Sequence, residues 1–99
     1  MKIIFLATSH NDLRWFKRYY VSVFPQGRKK ADQRYLAILN LLRENPMVGH
    51  PSETVSDARE FHISRTPFTF LYRVTKDYIE IMRVIDGRSI GTHQTIEGR

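Results

Sequence analysis

Three short runs in the second half of the chain alternate apolar and polar side chains, and the links between them are only a few residues long. The runs are Arg59-Glu60-Phe61-His62-Ile63-Ser64-Arg65, Phe68-Thr69-Phe70-Leu71-Tyr72-Arg73-Val74 and Tyr78-Ile79-Glu80-Ile81-Met82-Arg83-Val84-Ile85. A period of two marks β-strands with distinct faces. The links contain Thr66-Pro67 and Lys76-Asp77. Links this short join antiparallel neighbours, because a parallel return needs a crossover of about a dozen residues. The runs therefore predict a small antiparallel sheet.

Arg73 and Arg83 fall inside that sheet. A buried guanidinium without a partner is costly, so each arginine needs a carboxylate or a surface that meets an anion. Alternation puts Phe61, Ile63, Phe68, Phe70, Tyr72, Val74, Ile79, Ile81 and Ile85 on the face expected to meet helices. The other face carries Glu60, His62, Thr69, Leu71, Arg73, Glu80, Met82 and Val84 and is expected to be open. Arg83 has the apolar parity. Either a carboxylate partners it, with Glu44 and Asp86 as candidates, or a β-bulge displaces it.

The first half reads as one strand and two helices. Residues 2–7 form a short apolar run. Ser9 and Asp12 have capping-box spacing and should open a helix. Leu13, Phe16, Tyr20 and Val23 continue it at helical spacing, until Phe24-Pro25-Gln26-Gly27 breaks it. A second helix is expected from about Arg28 to Glu44, with Ala31, Tyr35, Ile38, Leu39 and Leu42 as its apolar stripe. Asn45-Pro46 ends it, and Met47 to Asp57 is a turn-rich loop.

The order β-αα-βββ gives an α+β fold: an N-terminal strand and an antiparallel two-helix hairpin packed on a small antiparallel β-sheet. One domain is expected over residues 1–90, with 91–99 as a flexible tail. Ile96-Glu97-Gly98-Arg99 matches a protease-cleavage sequence used with expression tags and is set aside as a scar.

The chain has no cysteine, which excludes disulfides and thiolate metal sites and fits a cytoplasmic location. No apolar run is long enough to cross a membrane. His10, His50, His62 and His93 have no zinc-motif spacing, and no phosphate-binding loop is present. Neither a metal nor a cofactor is therefore expected. The net charge of +6 is concentrated: Arg14, Lys17, Arg18, Arg28, Lys29 and Lys30 lie between Asp12 and Asp32 with no acid among them. The other ten cations balance the ten acids. Such a patch is either a solubilising surface or a site for an anionic partner, a nucleic acid or an acidic protein.

Arg28, Lys29 and Lys30 open a helix, where the macrodipole disfavours cations by roughly 0.3–1 kcal/mol each at low salt. That local conflict points to use in binding. Trp15 and Tyr19 lie four apart, beside Arg14 and Arg18, off the main apolar stripe. They give an aromatic–basic surface suited to a partner. Metal-free RNA cleavage would need a base, an acid and cations for the phosphorane. His62, Glu60, Arg73 and Arg88 are residue types that supply those roles, whereas the plainer reading makes His62 a solvated strand residue.

With these pieces placed, the chain resembles the RelE/ParE superfamily of bacterial type II toxin–antitoxin toxins, closest to its ParE branch. The resemblance rests on Asp12-Leu13, Pro46-Met47-Val48-Gly49-His50-Pro51, Arg59-Glu60-Phe61, Leu71-Tyr72-Arg73-Val74 and Ile81-Met82-Arg83-Val84-Ile85-Asp86-Gly87-Arg88. It implies the same two-helix-plus-sheet fold. RelE-like members cut mRNA on the ribosome with basic residues on the free sheet face and a tyrosine or histidine near the C-terminus. ParE-like members poison DNA gyrase.

Glu60 and His62 stand where RelE-like toxins carry lysines, and Thr69 where they carry an arginine. Asp86 departs from ParE, where a histidine is usual, and His93 lies where a nuclease wants its acid. Arg59-Glu60-Phe61, Tyr72-Arg73-Val74 and Arg83-Val84 with Gly87-Arg88 resemble ParE, and the resemblance implies a toxin that inhibits gyrase by binding. It also implies neutralisation by a ParD-like antitoxin with an acidic C-terminal segment, in a hetero-oligomer. The residues expected to meet target or antitoxin are Arg14, Trp15, Arg18, Arg28, Lys29, Lys30, Arg59, Arg73, Arg83 and Arg88. The alternative is a RelE-like, ribosome-dependent mRNA endonuclease using His62, Arg73, Arg88 and His93.

Overall fold

A computed structural model describes residues 1–23, 28–64 and 66–87, with the side chains of residues 20, 21, 23 and 28 excepted. Strand β1 (Lys2–Phe5) leads through a single 3-10 turn at Ala7–Ser9 into α1 (His10–Val23), and α2 (Arg28–Glu44) follows. Four strands complete the chain: β2 (His50–Pro51), β3 (Arg59–His62), β4 (Phe68–Val74) and β5 (Tyr78–Asp86). They form one sheet in the order β1-β5-β4-β3-β2.

The three expected strands pair antiparallel, as their links require: β3 with β4 and β4 with β5. Thr75 closes the second hairpin, its N–H and hydroxyl donating to the Tyr78 carbonyl and its hydroxyl accepting from Tyr78 N–H. The sheet is nevertheless mixed, because β1 lies parallel to β5, with Ile3 opposite Ile79 and Phe5 opposite Ile81. The two helices between β1 and the later strands supply the long crossover that a parallel neighbour needs. The loop expected over 47–57 also contains the two-residue strand β2, which pairs antiparallel with the start of β3.

The core lies between the helices and one sheet face. Phe16 of α1 is fully buried and meets Phe68 and Phe70 edge-on, with centroids 5.0 and 6.0 Å away. Ala31, Leu39 and Leu42 of α2 are buried, and Tyr35 and Ile38 pack partly against the same core. The expected stripe of α2 is thus the observed one. The side chains of Tyr20 and Val23 in the α1 stripe, and the helix-breaking segment 24–27, lie outside what the structure describes.

Two expectations are corrected by the geometry. Ser9 and Asp12 do not form a capping box. The Ser9 hydroxyl is buried and donates to the Leu6 carbonyl, 2.7 Å away, while Asp12 turns toward β5. The face assignment in β5 also breaks. Leu71 pairs with Arg83 but Tyr72 pairs with Ile81, so Met82 is an extra residue on β5. Past this bulge the parity reverses: Val84 is buried and Ile85 only half-buried, opposite to the alternation expected from the sequence. Leu71, placed on the open face, is also buried, with Glu60 and Arg83 beside it in register. The open face is therefore partly apolar.

Candidate functional site

Four groups of side chains stand out on this frame, and each starts from a local sequence feature. The first is the basic helical hairpin. Arg14, Lys17 and Arg18 share one side of α1 by helical spacing, and Lys29 and Lys30 open α2; all five are exposed. No acid occupies the first turn of α2. Arg14 donates to Asn11 Oδ1 at 3.1 Å, and the Lys17 ammonium lies 5.2 Å from the Tyr35 ring centroid. Burial pushes the Tyr35 hydroxyl up to a pKa of about 12. Arg28 begins the helix, and its side chain is not described.

The second group joins α1 to the end of β5. The Asp12 carboxylate accepts from Arg83 Nε and, at 3.0 Å, from Arg83 Nη2, and it takes the Val84 backbone N–H at 3.1 Å. This hydrogen-bonded ion pair raises the Arg83 pKa further, because the carboxylate stabilises the charged form. The partner of Arg83 is therefore Asp12, not Glu44 or Asp86, and the bulge is present as well. Trp15, half-exposed, donates its indole N–H to the buried Asp86 carboxylate at 3.0 Å. Tyr19 is not part of an exposed aromatic pair. It packs inward, edge-on to Phe68 with centroids 5.2 Å apart.

The third group is the open sheet face. Arg73 faces Glu80 across the β4–β5 pair, with Nε 3.5 Å from Oε1. His62 is exposed, and its Nε2–H donates to the Thr66 carbonyl at 2.7 Å, tying it to its own hairpin turn. Glu60 accepts from the Ser52 hydroxyl at 3.0 Å. Arg88 and His93 lie outside the described residues. Among the described residues, no group of histidines and carboxylates is arranged to hold a metal ion. No described helix is long and apolar enough to cross a membrane.

The fourth group holds the bend after α2, and sequence reasoning missed it. The Tyr72 hydroxyl, from the buried centre of β4, donates to the Pro46 carbonyl at 2.7 Å and accepts the Gly49 N–H at 3.0 Å. Arg59 donates Nε and Nη2 to the Gly49 carbonyl and Nη2 to the Met47 carbonyl. Gly49 is required by this approach: a Cβ there would lie 2.5 Å from the Glu60 carbonyl oxygen. Arg59, expected to meet a partner, is thus committed to backbone carbonyls within the chain. The available signal was Gly49 and Pro51 near a tyrosine on a buried strand, which names no contact.

The family model described as the ParE toxin of the type II toxin–antitoxin system parDE matches residues 3–91. A solved structure described as the chromosomal ParDE TA system from P. aeruginosa is similar at 26% identity and a TM-score of 0.59, covering 87% of this chain and 95% of that one. No match was found among curated proteins.

Proposed function

The chain belongs to the ParE toxins of type II toxin–antitoxin systems, and from that premise we propose that it inhibits DNA gyrase by binding rather than by turnover. A cognate antitoxin neutralises it in a cytoplasmic hetero-oligomer. One observation carries the partner side of this reading: the whole net charge of the chain resides in six cations between Asp12 and Asp32. A solvated surface of one sign attracts a segment of the other, and an acidic amphipathic peptide that folds on binding suits an exposed helical hairpin.

Binding rather than cleavage is supported by the open sheet face. Cleavage needs a cation free to meet the developing phosphorane charge. Arg73 instead faces Glu80, with Nε 3.5 Å from Oε1. Glu60, an acid, stands on the same face and works against phosphate binding.

The test is a supercoiling assay with purified gyrase, relaxed plasmid and ATP. Increasing protein is expected to abolish supercoiling and accumulate linear DNA, and His62→Ala is expected to leave that inhibition unchanged. Intact supercoiling by a folded, growth-arresting preparation would overturn the gyrase reading. It would turn attention to ribosome-bound mRNA, with His62, Arg73, Arg88 and His93 as the first residues to replace.

A further inference from the structure

Helix α1 turns Phe16 into the core, and its opposite face carries Asn11, Arg14, Lys17, Arg18 and Ser22 into solvent beside Trp15. The helix contains a single acid, Asp12, and that carboxylate points to β5, where it accepts from Arg83 and the Val84 N–H. Among the described residues, none of Arg14, Lys17 and Arg18 is paired with a carboxylate. Trp15 borders this face. Its indole N–H donates to the buried Asp86 at 3.0 Å, which holds the ring in one orientation, yet the residue stays 46% exposed. Arg18 lies one helical turn from both Trp15 and Arg14, at i+3 and i+4. An exposed π-face and unpaired positive charge therefore stand side by side.

We infer that this face of α1 binds single-stranded DNA, with Arg14 and Arg18 on phosphates and a base stacked on Trp15. Cations that track the backbone and an aromatic platform for the bases are the two parts of sequence-tolerant single-strand binding. Charge complementarity selects a polyanion: the chain carries +6, and its excess cations are gathered between Asp12 and Asp32. Two features then choose among polyanions. A duplex keeps its bases stacked on one another, whereas a single strand offers them to an aromatic ring. An acidic amphipathic protein segment needs apolar surface as well as cations. The described exposed side chains of α1 include no aliphatic one, while α2 exposes Leu36 and Leu41 along with Lys29 and Lys30. The antitoxin segment is thereby drawn to α2, and the nucleic acid to α1. The choice of DNA over RNA rests on the gyrase reading; the binding surface does not.

The test titrates the full chain, without gyrase, against a short labelled oligothymidylate. Trp15 is the sole tryptophan of the chain, so its emission reports on this face alone. Oligonucleotide anisotropy should rise as that emission is quenched. Arg14→Ala with Arg18→Ala removes two exposed cations and is expected to lower the slope of log affinity against log salt by about 1.4, at about 0.7 per phosphate on a single strand. Lys2→Ala with Lys76→Ala removes the same charge from exposed positions near the start of β5, at the end opposite Asp86, and should leave the slope unchanged. Trp15→Leu is expected to weaken binding about fivefold or more, as for loss of a stacked base. Trp15→Phe also gives up the bond to Asp86 but keeps a π-face, so it should bind more tightly than Trp15→Leu.

Binding that leaves Trp15 emission unchanged would overturn the proposal, as would a wild-type salt slope in the Arg14 and Arg18 variant. So would poly-glutamate bound as tightly as the oligonucleotide, which assigns the face to an acidic protein, or oligouridylate bound more tightly, which assigns it to RNA. Intact supercoiling beside quenching by DNA removes the gyrase reading and supports the surface. Gyrase inhibition by a protein that binds no single strand overturns the surface and leaves the gyrase reading standing.

Discussion

Tyr72→Phe removes one hydroxyl and leaves two backbone groups, the Gly49 N–H and the Pro46 carbonyl, without their partner. Stranding buried polar groups costs about 1–3 kcal/mol, and urea unfolding of the variant should show a loss of that size. Gly49→Ala is expected to cost a similar amount by overpacking, about 1–3 kcal/mol, because the new Cβ meets the Glu60 carbonyl and the Tyr72 hydroxyl. Both replacements disturb the same contact, so the double variant should lose less than the sum.

Tyr35 gives a pH signature. Its folded pKa of about 12 lies above the ordinary value of 10.0. The unfolded chain therefore gives up this proton first as pH rises. The stabilisation is complete below pH 10 and is lost between about pH 10 and 12. Thermal melts at rising alkaline pH should show stability falling in that window, and Tyr35→Phe should flatten the fall. The burial of Tyr35 was legible in sequence from its place in the apolar stripe of α2, whereas the contacts of Tyr72 and Gly49 were not, because each depends on a neighbour distant along the chain.

Among the elements, α1 and β5 are held together by a contact no local pattern announces. Asp12 sits in the first turn of α1, a position where a carboxylate is favourable for any helix. Its use here is across the fold, on Arg83 and the Val84 N–H, 71 and 72 residues away. Arg83 is about half exposed, so solvent screens the ion pair and its contribution is modest. Asp12→Ala is expected to lower stability by about 1–2 kcal/mol. Hydrogen exchange at the Val84 amide should quicken, while amides in β3 stay protected; equal exchange at Val84 would remove Asp12 from this role.

The two readings offered for Arg83, a carboxylate partner or a bulge, are both realised, and for one reason. The bulge at Met82 turns the end of β5 so that Val84 enters the core and Arg83 reaches α1. Alternation located the strand but not the bulge, since one inserted residue leaves the run just as apolar while reversing its faces.

At the scale of the whole molecule the surface is electrically lopsided, with the excess charge on the helical hairpin. Lys29→Glu with Lys30→Glu should weaken association with an acidic antitoxin segment and flatten its salt dependence, most visibly at low ionic strength. Unchanged affinity at low salt, measured by calorimetry, would remove the hairpin from that interface. The sequence by itself determined the helices and the three antiparallel strands, because hydrophobic period and link length are local quantities that each segment carries alone. It also determined the location of charge, which needs no fold to be counted. The tertiary structure decided the rest. It set β1 parallel beside β5, gave Asp12 to Arg83 and Asp86 to Trp15, turned Tyr19 inward, and fixed the Met47–Val48 bend with Tyr72 and Arg59. Those choices depend on which distant groups packing brings within hydrogen-bond reach. A one-residue shift in register changes every such partner while leaving the local pattern intact.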